Sequence, residues 1–376
     1  MKKVIIIYST AGMGHKKAAL ALLKTFREKG EGLIEVKAID LLEYSTRFYK
    51  FLYITFYIFV VQRAKWFWSM MYYTSNHPAI DILVRKIREW LDSKSLKMLR
   101  EMLAEEAPDA IVATHFLLPG IASALKGTKG FKSMMYVVVT DYGPHSYWLS
   151  DHIDGYFVGA EYTLQEMVKR GVPAGKIVVT GIPTQEEFSS AFNTDEMRGK
   201  YDLDREKKTV FLLSGGFGVG PMEGILRSLN SCRADIQVIT VCGHNKDAYR
   251  KIEALRSELN YRVILFGYTE KIAELMSVSD LMVTKAGGIS VTEAMNMRLP
   301  MVLFASIPGQ ETWNEILLTR NGAAEKARRV EDIPVMADRI LLSGEVLNSI
   351  KSGIDKIRRP DAAEKVTDIV MDRIRE

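Results

Sequence analysis

The feature that most constrains the fold is a unit that begins both halves of the chain: an apolar strand, a glycine-rich turn and a helix. In the first half, a strand predicted over Val4–Ser9 leads into Ala11-Gly-Met-Gly-His15. In the second half, a strand predicted over Thr209–Leu213 leads into the glycine-rich turn Ser214–Gly220. Strands and helices alternate after each unit, which predicts parallel sheets with crossover helices. A chain of 376 residues suits two such domains.

The domain boundaries follow from where this alternation pauses. Strands of the first domain are predicted at Val4–Ser9, Ile34–Ile39, Ala110–Thr114, Met135–Thr140, Gly155–Val158 and Ile177–Thr180. Strands of the second are predicted at Thr209–Leu213, Ile236–Val241, Arg262–Phe266, Leu281–Thr284 and Met301–Phe304. We expect domains over residues 1–183 and 207–360, a polar linker over 184–206, and a last helix near 361–376 that is able to pack back onto the first domain. Two facing Rossmann-like domains of the α/β class would bind ligands in the cleft, at the carboxyl ends of their strands.

Two glycine-rich turns of the second half have the composition of phosphate-binding loops. Backbone amides at a helix start, together with the helix dipole, favour a bound phosphate. No Lys followed by Ser or Thr comes after the first turn, so it is not a P-loop. The candidate phosphate ligands are Gly215, Gly216, Phe217 and Gly218 in the first turn and Lys285, Gly287, Gly288 and Ser290 in the second.

Polar residues after the second turn are candidate sugar ligands. Glu293 lies one helical turn further on, where its carboxylate can accept hydrogen bonds from ribose hydroxyls. The alternative is a capping box, since Ser290 and Glu293 have the required spacing. Gln310 and Glu311 offer donors and acceptors of the kind that recognise sugar hydroxyls, although Gln-Glu is also an ordinary helix opening.

The first glycine turn, Ala11–His15, has two functional interpretations. A dinucleotide fingerprint would use Asp40 as the ribose ligand, but its third glycine would fall at Lys17, which packs poorly against a strand. We favour His15 as a general base, because a helix N-terminus disfavours the protonated imidazole. The alternative is that His15 only begins the helix.

The segment after the second predicted strand is aromatic and basic. No acidic residue occurs from Tyr44 to Ile80, and 13 of the chain's 36 aromatic residues lie within Tyr44–Tyr73. Residues 1–132 contain 21 Lys and Arg against 12 Asp and Glu, whereas the whole chain has a net charge of only +5. The apolar run 51–61 is too short for a spanning helix, which needs about 20 residues. We therefore expect contact with an anionic membrane surface.

Two other interpretations of this composition are a buried aromatic helix and a dimer interface. A further helix is predicted near Ile80–Glu106. A nucleic-acid partner fits poorly, because the segment is too apolar.

The cysteines, Cys232 and Cys242, are too few for a disulfide framework and lack a metal-ligand spacing, which favours a reducing compartment. The apolar run Val4–Tyr8 is too short for a signal peptide.

Together these motifs resemble glycosyltransferase family 28, and above all its diacylglycerol branch, the bacterial processive diacylglycerol glucosyltransferases and plant monogalactosyldiacylglycerol synthases. The matching stretches are Gly12-Met-Gly-His15, Val139-Thr-Asp-Tyr with His145 and Trp148, Val179-Thr-Gly-Ile-Pro183, Ser214-Gly-Gly, Gly267-Tyr, Thr284-Lys-Ala-Gly-Gly-Ile-Ser with Glu293-Ala, and Pro308-Gly-Gln-Glu311. Ala286 stands where that branch often has proline, which leaves the phosphate role intact.

The resemblance implies the GT-B architecture, with the acceptor in the first domain and the nucleotide sugar in the second. It implies a hexosyltransferase that moves a hexose from UDP-glucose or UDP-galactose to the hydroxyl of diacylglycerol, with inversion and without a metal or other cofactor. The product would be a membrane glycolipid. The enzyme would be cytoplasmic and peripherally bound to the inner face of the cell membrane, with anionic lipid as a candidate activator. The sequence leaves the donor hexose and the oligomeric state open.

The resemblance also suggests roles for individual residues. The candidate bases are His15, our first choice, and Asp141. The candidate donor ligands are the two glycine turns, Phe266, Tyr268 and Ile272 for the uracil, Glu293 for the ribose, and Gln310 and Glu311 for the hexose. The candidate acceptor or lipid ligands are Gly14, Phe51, Tyr53, Phe56, Arg63, Trp66, Trp68, His145 and Trp148.

Two other enzymatic functions are compatible with the motifs. One is transfer of N-acetylglucosamine to a polyprenyl-linked peptidoglycan precursor, and the other is a soluble nucleotide-sugar epimerase. A non-catalytic membrane-binding sensor of UDP-sugars would also share them. The aromatic segment and the Thr140-Asp-Tyr stretch with His145 favour the diacylglycerol branch.

Overall fold

The computed structural model describes residues 1–10, 12–56, 60, 64–76, 78–216, 218 and 220–375. The chain divides into two compact units. Unit 1 comprises Met1–Gln185, Pro308–Trp313 and Arg359–Glu376, and unit 2 comprises Glu186–Ile307 and Asn314–Arg358. Each unit is an α/β domain built on one parallel sheet, so the predicted Rossmann-like fold class is confirmed.

The sheet of unit 1 has six parallel strands. They are β1 Lys2–Tyr8, β2 Ile34–Asp40, β3 Ala110–Ala113, β4 Met134–Val138, β5 Gly155–Val158 and β6 Ile177–Val179. Their order is β2-β1-β3-β4-β5-β6. Alternate residues of β1 point to opposite faces, Ile5 and Ile7 to one buried cluster and Val4 and Ile6 to another. Both faces are covered, which is why the strands are continuous apolar runs in the sequence.

The sheet of unit 2 also has six parallel strands. They are β7 Lys208–Leu213, β8 Ile236–Val241, β9 Val263–Phe266, β10 Leu281–Thr284, β11 Met301–Leu303 and β12 Glu325–Lys326. Their order is β12-β11-β10-β7-β8-β9. Numbered within the unit and taken from the other edge, this is the 3-2-1-4-5-6 order of the Rossmann fold.

Helices connect the strands and cover the sheets. In the described part of the chain they are α1 Met13–Lys29, α2 Arg47–Lys50, α3 Lys65–Ser75, α4 Pro78–Ser95, α5 Lys97–Glu106, α6 Leu117–Lys126, α7 Glu161–Lys169, α8 Thr194–Lys200, α9 Met222–Leu229, α10 Lys246–Leu255, α11 Ile272–Ser277, α12 Gly288–Asn296, α13 Gln310–Arg320, α14 Asp332–Leu342, α15 Gly344–Ile357 and α16 Ala362–Arg375. Leu22 and Phe26 of α1 share a buried cluster with Val366 and Val370 of α16. The last helix therefore covers the same face of the first sheet as α1.

The segment predicted as a linker is shorter than expected. Unit 2 begins at Glu186, and the stretch that follows contains α8. Lys200 Nζ and Tyr201 Oη lie 2.6 and 2.5 Å from the carboxylate of Glu274, and Arg198 pairs with Asp280 at 3.5 Å. The polar composition of 184–206 thus reflects hydrogen bonds to the surface of unit 2.

Two further elements differ from the prediction. The helix expected over Ile80–Glu106 is divided into α4 and α5 at Leu96, and no glycine or proline marks the break. The second sheet has one strand more than predicted, because β12 adds two charged residues, Glu325 and Lys326, at its edge. Such a short edge strand has no apolar pattern that a sequence could reveal.

The aromatic segment forms short helical pieces rather than one long helix. Helix α2 continues into a π-helical stretch over Phe51–Phe56, and α3 and α4 follow. Among the residues that the structure describes, no helix is long and apolar enough to span a bilayer.

Helix α1 provides a direct test of the packing of unit 1. Leu22 is fully buried against the sheet, whereas Leu20 on the same helix is 37% exposed. We expect Leu22→Ala to lower the free energy of unfolding by about 2–5 kcal/mol, because it removes buried methyl groups and leaves a cavity. Leu20→Ala, the control, should change it by about 0.5 kcal/mol or less. Urea unfolding followed by circular dichroism measures both, and equal effects would contradict this packing.

Candidate active site

The carboxyl ends of the strands of unit 2 bring its loops to one edge. Leu213 at the end of β7 pairs with Thr284 of β10 and with Val241 of β8, so these strands end level. The strand order reverses between β7 and β10, and open α/β sheets bind ligands at such a switch point. The turns 214–220 and 285–290 follow these two strands. Both predicted phosphate loops therefore lie at the switch point.

The first glycine loop has a backbone that suits only glycine. Gly215 and Gly218 have φ angles of +70° and +56°. A Cβ at Gly218 would collide with the carbonyl oxygen of Cys242. Asn245 Nδ2 donates a hydrogen bond to the carbonyl oxygen of Gly218 at 2.9 Å. The loop after β8 thus clamps the glycine loop, a role that sequence reasoning missed.

The two glycine loops are close to each other. A Cβ at Gly215 would lie 3.1 Å from Cε of Lys285, so the lysine side chain runs beside the first loop. The carbonyl oxygen of Gly216 accepts a hydrogen bond from the backbone N–H of His244 at 3.1 Å. Phe217, the remaining predicted ligand of this loop, lies outside the described residues.

The second glycine loop begins the buried helix α12. Gly287 is the N-cap, so Gly288 is the first helical residue and Ser290 the third. The capping box with Ser290 as N-cap is therefore not formed, because the helix begins before it. Asn314 is buried and donates a hydrogen bond from Nδ2 to the carbonyl oxygen of Ala286 at 2.9 Å, which fixes the loop. Sequence reasoning also missed Asn314.

The predicted ribose and uracil ligands differ in exposure. Glu293 is buried within α12, so its ribose role stays a prediction. Phe266 ends β9 and Ile272 begins α11, where it is buried. Tyr268 is half-exposed, and its ring stacks on that of His244 at 4.4 Å with an interplanar angle of 12°. The stacked rings of Tyr268 and His244, here called the Tyr268 ledge, therefore lie beside the first glycine loop.

The switch point of the first sheet lies between β1 and β3, and His15 lies there. Gly12 caps α1, so Gly14 is its second residue and His15 its third. His15 Nδ1 lies 2.7 Å from the carbonyl oxygen of Thr114 and 2.9 Å from Oγ1 of Thr140. Because a carbonyl oxygen only accepts, Nδ1 must carry the proton, and Nε2 keeps its lone pair.

Burial keeps this imidazole neutral. It lowers the pKa of His15 to about 4, although the bond to Thr114 acts in the opposite direction. The ring of His115 packs edge-on against that of His15 at 4.5 Å, and the ring of Trp148 lies at 6.1 Å. Burial also lowers the pKa of His115. A neutral histidine with an unprotonated Nε2 can act as a general base at neutral pH.

Asp141, the second candidate base, already has a partner. Its Oδ2 accepts a hydrogen bond from Gln310 Nε2 at 2.9 Å, within unit 1. This contact joins the candidate base to a residue predicted to bind the donor hexose. Glu311, the neighbouring predicted ligand, is buried. The choice between His15 and Asp141 as the base stays a prediction.

Asp40 stabilises the first glycine turn. Thr10 Oγ1 donates a hydrogen bond to Asp40 Oδ2 at 2.6 Å, and Leu42 N donates one to Oδ1 at 3.1 Å. Both carboxylate oxygens therefore have partners within the protein. This arrangement argues against the ribose role that a dinucleotide site would give to Asp40.

His145 and Trp148 lie inside unit 1. His145 Nδ1 accepts a hydrogen bond from Tyr147 N at 3.1 Å, and Nε2 donates to the carbonyl oxygen of Tyr72 at 3.2 Å. Burial lowers the pKa of His145 to about 3. Both ring nitrogens are thus engaged, which favours an anchoring role for His145. Trp148 is buried beside His15.

The predicted lipid ligands of the aromatic segment divide into outward and inward side chains. Trp66 is 73% exposed and Phe51 54%, and Phe56 is exposed as well. Tyr53 is half-buried and packs against the core of unit 1, and Trp68 is also half-buried. Arg63 lies outside the described residues. A wholly buried aromatic helix is excluded for this segment.

The chain has the GT-B fold of glycosyltransferases. Its fold is similar to that of the MurG protein of Acinetobacter baumannii, which is 13% identical with a TM-score of 0.63 over 99% of this chain and 100% of that one. It is also similar to the UDP-bound MnaA protein of S. aureus, which is 14% identical with a TM-score of 0.65 over 98% and 96% of the two chains.

The particular family follows from the sequence comparisons. Residues 15–184 match the family described as monogalactosyldiacylglycerol (MGDG) synthase, and residues 219–329 match the glycosyltransferase family 28 C-terminal domain. The processive diacylglycerol beta-glucosyltransferase of Bacillus cytotoxicus is 32% identical over 375 residues, 98% of this chain and 93% of that protein. The protein of the same name from Bacillus cereus is 32% identical over 374 residues, with the same coverage. The chain belongs to the diacylglycerol branch of glycosyltransferase family 28, as its motifs predicted.

Two glycines of unit 2 should respond in opposite ways to alanine. Gly218→Ala places a methyl group against the carbonyl oxygen of Cys242 in a left-handed conformation, and strain of that conformation alone costs about 1–2 kcal/mol. Gly224→Ala in α9 meets only Val330, at 3.9 Å, and should stabilise the helix by about 0.5–1 kcal/mol. Thermal unfolding measures both variants. A Gly218→Ala variant as stable as the original protein would show that the loop conformation is wrong.

Proposed function

We propose that this enzyme transfers glucose from UDP-glucose to the hydroxyl of diacylglycerol, with inversion and without a metal. The observation that carries the mechanism is the hydrogen bond from His15 Nδ1 to Thr114, which leaves Nε2 as a base. The choice of lipid and hexose rests on relatives named as diacylglycerol beta-glucosyltransferases that match nearly the whole chain. The family matched by 15–184 is named for galactose, but it covers only the half assigned to the acceptor.

The donor would be held by the loops at the switch point of unit 2. The amides at the start of α12 and of the Gly215–Gly218 loop would bind the diphosphate, and Lys285 would add a positive charge beside it. The uracil would lie at the Tyr268 ledge, with Glu293 at the ribose and with Gln310 and Glu311 at the hexose. Several similar folds were solved with UDP or a UDP-sugar, which is compatible with this assignment.

The chemical step would be a single displacement. His15 Nε2 takes the proton of the lipid hydroxyl as its oxygen attacks the anomeric carbon, and the bond from that carbon to UDP breaks. Helix dipoles and backbone amides would stabilise the charge that develops on the leaving diphosphate. Among the described residues, no group of three or more His, Cys, Asp and Glu could hold a metal ion.

The acceptor would reach the base from a membrane. The exposed rings of Phe51, Phe56 and Trp66 would enter the headgroup layer, and the basic charge of residues 1–132 would attract anionic lipid. In this proposal the enzyme binds peripherally to the inner face of the cell membrane, and anionic lipid increases its activity by raising the bound fraction. The two alternative enzymatic functions have less support, because the relatives that match nearly the whole chain at 32% identity are named as diacylglycerol glucosyltransferases. The proteins named as UDP-N-acetylglucosamine 2-epimerases share the fold at only 13% identity.

Replacement of the base gives the first test of this function. In vesicles containing diacylglycerol, His15→Ala should lower kcat by about 10²–10⁴-fold while UDP affinity stays within about twofold, since general-base catalysis typically contributes that much. Because the pKa of His15 is lowered to about 4, kcat/KM of the original enzyme should be flat from pH 8 to 6 and fall only as the pH approaches that value.

His152→Ala is the matched control, since His152 is exposed and lies outside the switch point. Mass spectrometry of the lipid products, with UDP-glucose and UDP-galactose in parallel, identifies the hexose, and the anomeric proton coupling reports inversion. Retained turnover in His15→Ala would remove His15 as the base. Absence of any glycolipid from the original enzyme would refute the function itself.

Membrane association gives a separate test. Trp66→Ala should bind vesicles containing phosphatidylglycerol about tenfold more weakly, because a large ring no longer leaves water on binding. Val335→Ala removes an exposed apolar side chain from unit 2 and should bind as the original protein does. Vesicle sedimentation measures both affinities, and 0.5 M NaCl should weaken binding of every variant. Unchanged binding by Trp66→Ala would show that this face does not contact the bilayer.

A further inference from the structure

A buried ion pair lies beneath the aromatic segment, outside the roles assigned above. Arg88 of α4 is 6% exposed, and its Nε lies 3.4 Å from Oδ2 of Asp92, one helical turn further on. Arg88 Nη1 donates a hydrogen bond to the carbonyl oxygen of Tyr147 at 2.9 Å, and the guanidinium lies over the Tyr147 ring, 4.6 Å from its centroid. The pair therefore fixes the arginine beside the loop that carries Trp148.

Two nitrogens of this arginine have no hydrogen-bond acceptor. Within the described residues, Nε and Nη2 of Arg88 are buried and make no hydrogen bond. Nε has only its 3.4 Å ion-pair contact with Asp92 Oδ2, which makes no hydrogen bond either. Leaving a buried donor unpaired costs about 1–3 kcal/mol, so such groups are rare and need an explanation. A guanidinium accepts no hydrogen bond, so the missing partner must be an acceptor oxygen.

The arginine is linked to the candidate base by a short series of rings. The ring of Tyr147 lies 5.9 Å from that of Phe116, which stacks on His115 at 4.1 Å. The ring of His115 in turn packs against His15 at 4.5 Å. Tyr147 and Phe116 are only half-buried, so the protein surface is one side chain away from the guanidinium. The guanidinium and the candidate base therefore belong to one continuous group of packed side chains in unit 1.

The charge around Arg88 indicates which acceptor oxygen fits. Asp92 already compensates the guanidinium, and Tyr49 Oη donates to Asp92 Oδ1 at 2.5 Å. Gly120 packs so closely against Oδ2 that even a methyl group there would collide with it. Burial raises the pKa of Asp92 to about 6, so the carboxylate is charged at pH 8. A ligand phosphate would add uncompensated negative charge to this site, whereas a neutral carbonyl oxygen would not.

We propose that Arg88 binds an ester carbonyl oxygen of the acceptor lipid through Nη2. The inference rests on the proposed function and deepens it: the enzyme would recognise its acceptor as a glycerol ester and not merely as an apolar alcohol. The hydroxyl is held at His15 and the ester at Arg88. No bond of the ester is made or broken.

The test compares a 1,2-diacylglycerol with the 1,2-dialkylglycerol of equal chain length, which lacks both carbonyls. The vesicles consist of ether-linked phosphatidylcholine and phosphatidylglycerol, so that only the acceptor carries an ester. The original enzyme should show a kcat/KM about tenfold higher for the diacyl lipid, the effect expected for one buried hydrogen bond to a charged donor. Arg88→Lys keeps the charge but loses Nη2, and should bring this ratio close to one.

Lys94→Gln is the control, because Lys94 is exposed on the same helix and should leave the ratio unchanged. If Arg88→Lys does not fold, Arg88→Met combined with Asp92→Asn removes both buried charges together and should give the same ratio near one. Circular dichroism and vesicle sedimentation verify that each variant is folded and still binds.

Several outcomes would overturn the proposal. A ratio near one in the original enzyme would show that the ester is not recognised, and an unchanged ratio in the Arg88 variants would place recognition elsewhere. If an ester-linked phospholipid in the vesicles restored turnover of the dialkylglycerol, the carbonyl that Arg88 binds would belong to a neighbouring lipid and not to the acceptor. Loss of phosphatidylglycerol dependence in Arg88→Lys, without a change of ratio, would identify a phosphate ligand. Absence of transfer to either acceptor would instead refute the proposed function.

Discussion

Parallel strands that are buried on both faces can offer functional groups only at their ends. In both sheets the strands pair in register over most of their length, so the loops that follow neighbouring strands meet at one edge. At the switch point of unit 2 these loops are made of glycines, because the backbone itself has to approach closely. Gly218 packs against the carbonyl of Cys242, where no side chain would fit. The groups that this edge offers to a ligand are therefore backbone amides.

The candidate base depends on the same constraint. His15 follows β1, while Thr114 and Thr140 follow β3 and β4, and only the sheet brings these three residues together. The carbonyl of Thr114 selects the tautomer, and burial keeps the ring neutral. No carboxylate orients this histidine through the hydrogen bonds described. Nε2 of His15 is left as a base by contacts with residues that are distant in the sequence. A sequence motif can indicate the histidine, but it does not show these contacts.

The parts of the site that were predictable from sequence are those encoded by local pattern. Continuous apolar runs revealed the strands, and the glycine turns marked two loops at the switch point of unit 2, whose phosphate role stays a prediction. The clamp from Asn245 and the aromatic contact from His115 were not predictable, because each acts on a residue far away along the chain. The capping-box alternative at Ser290 could not be judged from spacing alone, since the pattern does not show where the helix begins. Polar composition misled at 184–206, where Lys200 bonds to Glu274.

The aromatic segment shows how an exposed face can be fixed relative to a buried site. Trp66 of α3 points outward, while Tyr72 of the same helix is buried and accepts a hydrogen bond from His145. Ser146 N donates to Asn76 Oδ1 at 3.0 Å, so the end of α3 is fastened to the loop that carries Trp148. Because Trp148 packs beside His15, rings that contact a membrane would stand at a set distance from the base. A lipid alcohol could then be presented to Nε2 without any part of the protein entering the bilayer core.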